Sequence, residues 1–542
     1  MAGIFIDPKY TTASTKAYNF IVSQMPSSPT NRLPKSYLVP SADPAYTYLK
    51  DRSFIYDVGL ALLVLTTNKE YTSCKSIMNR LQILQNSGNY SFAGSTFDFD
   101  GSFDFSYYFD GSGPISSRPN DLYIYTGAIG WLVWGMCYYA LKSEDSSYNT
   151  MINKAGAWLL RRQVTSSADI RYGLLKGGFR YLSGTLQEHT WCSTEHQCSV
   201  LQALYGLNAL TYNSSYLNAA NIIIERLKPL TTPNPSRPSL FDDANNRYFE
   251  GIDIAGLDNV WALDCTTWAG AAAKNLLPSS GITPSRDNIA SYCRATANTK
   301  FLVTGKTLSD PNGIYSFSGT LDGFKPYDNG SGTGTPSIVW SEGTLGYVYL
   351  CMLLGLNTDA LNYMDETIKL QNCKSGQNGV LYSNAVVPDF NVWESVCSSA
   401  WLYLLINNPD VLFKKIPDPI AYLRVVNGSS YQVQGNVQIP NSGFNRSFSM
   451  GHNSTDPSSG WRPAITLTPG LYTNAQALIA PPYGQDPLPT TWYHNVYLHW
   501  GITTSPPQIA SWTSAWDGSA QNKTISLNIT NGSTYYIIID LS

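Results

Sequence analysis

Between Arg52 and Asn407 apolar residues recur with helical spacing, and the helices they predict are of two kinds. Six segments, Phe54–Leu65, Thr126–Leu141, Thr194–Leu210, Leu263–Leu277, Glu342–Leu356 and Trp393–Ile406, are rich in Gly, Ala, Leu and aromatics and almost free of charge. A helix that is apolar all round is buried on every side. Amphipathic, charge-bearing helices lie between them: Tyr71–Gln85, Tyr148–Gln163, Tyr216–Leu230, Arg286–Leu302 and Thr358–Gln371. Six inner and five outer helices leave one outer place open, and the helical stretch Thr12–Gln24 suits it. The outer helices ending at Gln85, Gln163 and Gln371 all run on through Gly-rich turns, so the unit repeats. Six such hairpins around one axis predict a mainly α fold, an (α/α)6 toroid.

Outside this rhythm the chain changes character. Residues 1–50 hold the spare helix and a Pro/Ser-rich stretch (Pro26, Pro29, Pro34, Pro40, Pro44) that reads as an extended crossing segment closing the toroid. Residues 51–407 form the toroid, and 408–420, with Pro409, Pro417 and Pro419, form a linker. Residues 421–542 alternate with period two at Tyr431–Gln434, Ala464–Leu467, Val496–His499, Thr524–Ile529 and Tyr535–Leu541. Turns rich in Gly, Pro, Asn and Ser separate these runs, which predicts a small β-sandwich, a carbohydrate-binding or accessory domain. Trp512 and Trp516 there are either a sugar platform or sandwich core.

In a toroid the inner helices run in one direction, so their starts gather at one mouth. Those starts carry Tyr56-Asp57, Trp191 with Glu195-His196, Trp261 with Asp264 and Trp268, Trp340 with Glu342, and Trp393-Glu394. The second hairpin offers Arg118, Asp121, Tyr123 and Tyr125 instead. Thr194 and Gln197 have the spacing of a capping box, which starts the third inner helix there. An acid in a first turn also simply opposes the helix dipole, worth about 0.3–1 kcal/mol. Five acids beside five indoles at one mouth suit a sugar chain, whose C–H faces stack on rings while carboxylates grip its hydroxyls.

Six segments taken together, Tyr56-Asp-Val-Gly-Leu-Ala-Leu62, Thr126-Gly-Ala-Ile-Gly-Trp131, Ser193-Thr-Glu-His-Gln197, Ala262-Leu-Asp-Cys-Thr-Thr-Trp268, Trp340-Ser-Glu-Gly-Thr344 and Trp393-Glu-Ser-Val396, resemble the six-hairpin glycosidase superfamily. They are most similar to an uncharacterised, cellulase-like bacterial branch with Ser-Thr-Glu-His-Asn in its third inner helix, where this chain has Gln197. The resemblance spans residues 50–407 and implies carbohydrate hydrolysis, without carrying over an assigned catalytic pair.

Glycoside hydrolysis uses two carboxyl groups, one protonated to release the leaving oxygen and one to activate water. Glu195 is the expected acid, Asp264 the first choice of base and Asp57 the second. The expected substrate-binding residues are His196, Trp191, Trp261, Trp268, Trp340, Glu342, Trp393, Glu394, Tyr56 and Arg118, with Glu342 and Glu394 as alternative acids. A polysaccharide lyase or sugar epimerase on the same scaffold would use Tyr56 or His196. A non-enzymatic adhesin or virion tail component would only bind host glycan.

Composition removes other classes. A net charge of −3 without a basic stripe excludes nucleic acid as a partner, and no apolar run reaches membrane-spanning length. The N-terminus shows no signal peptide, while the polar, weakly charged composition suits an extracellular or virion-associated protein. No cofactor or metal is expected: Walker A and G-x-G-x-x-G segments are missing, His189 and His196 lack zinc spacing, and Asp98, Asp100 and Asp104 fail the calcium-loop pattern. That loop reads as an aromatic rim. The nine cysteines read as buried free thiols.

Overall fold

The computed structural model describes residues 4–112, 122–211, 213–230, 234–329 and 334–413, and the backbone of nine strands between Tyr422 and Leu541. The chain divides into two compact units, Met1–Lys415 and Ile416–Ser542. In the first, the outer helices are α1 (Pro8–Ser23), α3 (Tyr71–Leu84), α5 (Asn149–Arg162), α7 (Ser214–Leu227), α9 (Arg286–Lys300) and α11 (Asn357–Lys369). The inner helices are α2 (Ile55–Thr67), α4 (Thr126–Ser143), α6 (Thr194–Thr211), α8 (Leu263–Leu276), α10 (Ser341–Leu353) and α12 (Val396–Asn407). Each inner helix packs on the next, and α12 returns to pack on α2, so the inner ring is closed.

The two patterns in the sequence separate the rings as physics requires. On α2, Leu60 to Leu65 are all fully buried, as the uniformly apolar run demands. On α5 only one face, Met151, Ile152, Ala155, Trp158 and Leu159, is buried. The N-terminal helix α1 fills the sixth outer place, packing on α12 through Ala13, Ala17, Phe20 and Ile21. Its start is set by Asp7, whose carboxylate accepts from Lys9 N, followed by Pro8 in the first turn.

The repeated glutamines staple the outer ring. Gln85 Nε2 donates to the carbonyl of Met151 on α5 (2.9 Å), Gln163 Nε2 to that of Ala219 on α7 (3.4 Å), and Gln371 Nε2 to that of Ala13 on α1 (3.0 Å). Each satisfies a carbonyl of the neighbouring outer helix, and the last crosses from the end of the ring to its beginning.

Inner helices approach closely where side chains are missing. A Cβ on Gly59 would lie 2.6 Å from the carbonyl oxygen of Trp131, and one on Gly135 would lie 2.5 Å from that of Gly59. Helices α2 and α4 therefore touch backbone to backbone.

Two expectations need correction. The segment Pro409–Phe413 is not linker: Val411, Leu412 and Phe413 are buried in the first unit. Val411 O accepts from Trp134 Nε1 (2.9 Å), Phe413 N donates to Gln202 Oε1 (3.2 Å), and the Phe413 ring lies 5.4 Å from Trp131. This segment stoppers the centre of the ring. The capping box does not form either. Thr194 Oγ1 donates to Phe249 O (2.6 Å), while Gln197 exchanges hydrogen bonds with the backbone of Leu175 (2.9 and 3.0 Å). Ser193 Oγ takes the cap by accepting from His196 N (3.4 Å).

The second unit holds two sheets. One orders the strands Ile465–Thr466, Tyr422–Asn427, Thr534–Leu541, Tyr493–Trp500 and Gln508–Ala515, with a single parallel pair between the second and third. The other orders Phe444–Met450, Val433–Ile439, Gly470–Ala480 and Gln521–Ile529, all antiparallel. Trp512 lies on one of these strands; Trp516 lies outside the described residues. All nine cysteines are buried free thiols.

Because α2 and α4 have no room between them, Gly59→Ala must push the helices apart. The expected cost is about 1–3 kcal/mol, read as a lower unfolding midpoint in urea, and an unchanged midpoint would contradict the close contact.

Candidate active site

The four N-terminal N–H groups of a helix have no partner within it, and here the first of them is used six times in the same way. Ile55 N donates to Phe105 O, Thr126 N to Gly177 O, Thr194 N to Glu250 O, Leu263 N to Pro326 O, Ser341 N to Tyr382 O and Val396 N to Ser36 O, all at 2.9–3.1 Å. Each inner helix start is thereby tied to the loop of the following hairpin. The last bond returns to the N-terminal segment, which the short strand Tyr37–Leu38 also pairs with Glu394–Ser395.

With the starts held level, the second residue of each inner helix reaches one place. In order these are Tyr56, Gly127, Glu195, Asp264, Glu342 and Cys397. Five of them, all but Gly127, line a single cavity of about 470 Å3 together with Asp57, His196 and the rings of Trp131, Trp268 and Trp340. Gly127 is small for a reason: a Cβ there would lie 2.2 Å from the His196 ring. The floor is the aromatic cluster in which Trp268 stacks on Trp401 (5.4 Å) and both Trp131 and Trp268 meet Phe413.

Burial pushes four carboxyls of this cavity toward their protonated form. Burial, reinforced by Asp264, Glu342 and Glu250, holds the Glu195 carboxyl well above the usual carboxylate range. Burial also raises Asp264, against the pull of the Cys265 N–H, which its Oδ1 accepts at 2.7 Å. Asp57 is pushed up by burial to about 7, opposed by hydrogen bonds from Ser36 and Cys397. Glu342 is pushed up by burial to about 8, although Tyr56 Oη donates to it. That phenol is itself fixed by Trp401 Nε1 (3.0 Å). Burial lowers His196 to about 4, so its imidazole is neutral at pH 7. Among the described residues no lysine or arginine forms an ion pair with Glu195, Asp264, Asp57 or Glu342.

Buried polar atoms ordinarily have partners. Here Asp57 Oδ1, His196 Nδ1 and the indole N–H groups of Trp131, Trp268 and Trp340 are buried without one. All five belong to residues on the wall of this cavity. A polar guest carrying both donors and acceptors would satisfy them.

The structure corrects part of the expected site. Glu394 does not line the cavity: α12 starts at Val396, so Glu394 falls on a strand, accepting from Gly379 N (2.7 Å) and Tyr315 Oη (3.2 Å). Cys397 occupies the place expected of it. Trp393 likewise turns away and donates to Asp43 Oδ2 (2.9 Å). Trp261 lies against the cations Arg247 (4.1 Å) and Lys300 (5.0 Å) rather than in the cavity. Trp191 lines an adjoining cavity, and Arg118 and Asp121 lie outside the described residues. In the rim loop Asp98 is consumed by Arg161 and Arg162 (2.6 and 3.3 Å).

Sequence reasoning missed Trp131, Cys397, Tyr37, Tyr382 and Glu250. Tyr382 and Glu250 supply carbonyls that receive helix starts, and Tyr37 directly follows another, Ser36; these are loop positions that no helical spacing marks. Cys397 was findable, being second in its helix once the start is placed correctly.

Among solved structures the chain is similar to a glycosidase in complex with glucose (10% identity, 75% of this chain and 98% of that one, TM-score 0.47). It is also similar to a glycoside hydrolase family 76 mannosidase from Bacteroides thetaiotaomicron VPI-5482 (11% identity, 74% and 98%, TM-score 0.46) and to a D-mannose isomerase (11% identity, 76% and 99%, TM-score 0.48). No family model matches the chain, and no curated protein does.

The raised carboxyls make stability depend on pH. A carboxyl whose folded pKa lies above its unfolded value binds the proton more tightly when folded, so its contribution is full below the unfolded pKa and is lost as pH rises through the folded one. For Asp57 and Glu342 the loss runs from about pH 4 to about 7 and about 8. The urea midpoint should therefore fall between pH 5 and 9, and Glu342→Gln should flatten that fall. A wild-type midpoint that rises over this range would show that these acids are charged in the fold.

Proposed function

We propose that this chain is a glycoside hydrolase acting on a neutral poly- or oligosaccharide, with Glu195 as the general acid and Asp264 as the general base. The observation that carries the reading is the pairing at the cavity wall: burial and the neighbouring Asp264 favour the proton on Glu195, while the Cys265 N–H accepted by Asp264 Oδ1 opposes the effect of burial there. Glu195 delivers that proton to the glycosidic oxygen as the bond to the anomeric carbon breaks. Asp264 takes a proton from the water that attacks that carbon, with Asp57 as the second choice for this role. Trp131, Trp268 and Trp340 offer ring faces for the sugar's C–H surfaces, and their indole N–H groups and His196 Nδ1 offer partners for its hydroxyls. Glu342, protonated and held by Tyr56, donates rather than repels.

Among the described residues no lysine or arginine lines the central cavity, and this bears on the substrate. A uronate or sulfated sugar would bring charge into a space crowded with carboxyls and no lysine or arginine pairs. This weighs against the lyase alternative, whose substrate carboxylate must be neutralised for the adjacent proton to leave. A sugar epimerase is favoured by one observation, the neutral, buried and unpartnered His196, which is suited to taking a proton from carbon.

Reducing-end release from a panel of neutral and acidic polysaccharides tests this. Wild type is expected to cleave a neutral glycan, with Glu195→Gln and Asp264→Asn each about 10²–10⁴-fold slower and no lower in urea midpoint. Full activity in both variants would move the chemistry to Asp57 or Glu342. Interconversion of a free sugar without new reducing ends, abolished by His196→Gln, would make it an epimerase; binding without turnover would make it an adhesin.

A further inference from the structure

Beside the central cavity lies a second one of about 540 Å3, lined by His189, Trp191, Glu250, Asp253, Leu257 and Asp258. The chemistry above does not use it. Its outer wall is the hairpin Gly251–Asp253 and Gly256–Asp258, which pairs through Gly251 and Ile252 with Ser193 and Cys192 at the foot of α6. Gly251 is bare because the Trp191 indole occupies the place of a side chain: a Cβ there would lie 2.7 Å from Trp191 Nε1. The wall is therefore built around the indole.

Two residues of the second cavity reach toward the first. The Trp191 ring meets His189 of the second cavity (5.7 Å) and His196 of the first (6.4 Å). Glu250 lines the second cavity, yet its charge acts on Glu195 and it feels that of Asp264. Its position is rigid, since its carbonyl receives Thr194 N (2.9 Å) and its N–H donates to Asp258 O (3.2 Å). Trp191 Nε1 is buried without a partner. Burial and Asp264 push Glu250 up to about 8, so it stands neutral at pH 7 and can both give and accept a hydrogen bond. Asp253, by contrast, is occupied: its Oδ1 accepts from Arg171, Thr190 and Ile254 N.

We propose that this second cavity is a sugar-binding subsite, holding the unit of a neutral glycan chain adjacent to the one in the central cavity, with Trp191 as its stacking wall and Glu250 as a hydroxyl ligand. The inference rests on the glycan-acting reading of the central cavity. It makes the preferred substrate an oligosaccharide that spans both spaces, and it assigns the hairpin the role of gripping the chain beyond the cleaved bond.

The test is a length series of neutral manno-, cello-, xylo- and malto-oligosaccharides of about two to six units, cleaved by wild type, Glu250→Gln and Ala255→Trp. Ala255 is exposed at the hairpin tip and lines the cavity, so a bulky side chain can fill the space without entering the core. With wild type, kcat/KM is expected to climb with length. In Ala255→Trp that climb should shrink about tenfold, the ratio equivalent to ~1.4 kcal/mol, and Glu250→Gln should lose more on longer substrates than on the shortest. Neither variant should fall below the wild-type urea midpoint. Unaltered length dependence in both, with cleavage intact, overturns the subsite and leaves the hydrolase standing. Failure of wild type to cleave any series removes the hydrolase reading and the subsite with it.

Discussion

Six hydrogen bonds, one from the first N–H of every inner helix to a carbonyl in the next hairpin's loop, bring the helix starts to a common level around the ring. Without them the second residue of each helix would have no reason to meet its counterparts. With them, Tyr56, Glu195, Asp264, Glu342 and Cys397 converge, and the loops that accept the bonds add Phe105, Tyr382 and Glu250 to the walls. The same contact satisfies a donor that a helix cannot satisfy itself. Structural need and functional placement are one arrangement here.

What the ring then does to those residues is a matter of water and charge. The stopper Pro409–Phe413, the stacked Trp268 and Trp401 and the edge-on Trp131 fill the centre beneath the mouth. Carboxyl groups placed there lose solvent and find no lysine or arginine partner among the described residues, and both effects favour the protonated form. Several acids can share a small space because they are not all ionised. An opposite design, with arginines among them, would have given permanent charge and fixed ion pairs, and would have left no proton to give.

The mouth also explains which substitutions the ring permits. Gly127 stands where four other inner helices place an acid or a phenol, because His196 of the neighbouring helix needs that volume. Gly251 gives way to Trp191 in the same fashion. At both positions the absent side chain belongs to a functional neighbour, so the glycine is read from contact rather than from backbone conformation.

The sequence by itself determined the two rings and their order, because burial on all sides and burial on one side leave different hydrophobic periods in the chain. It also marked Asp57, Glu195, Asp264 and Glu342, since an acid at a helix start is a local feature. Register at the last helix was not local. Trp393-Glu394 resembles the other starts, but pairing of Glu394–Ser395 with Tyr37–Leu38 extends the strand and delays the helix to Val396. Only the tertiary structure decided that exchange, and only it moved Pro409–Phe413 from linker to stopper. The protonation of the acids belongs to the same class. It depends on which groups exclude water and which charges stand beside them, and those are properties of the assembled ring that no single segment encodes.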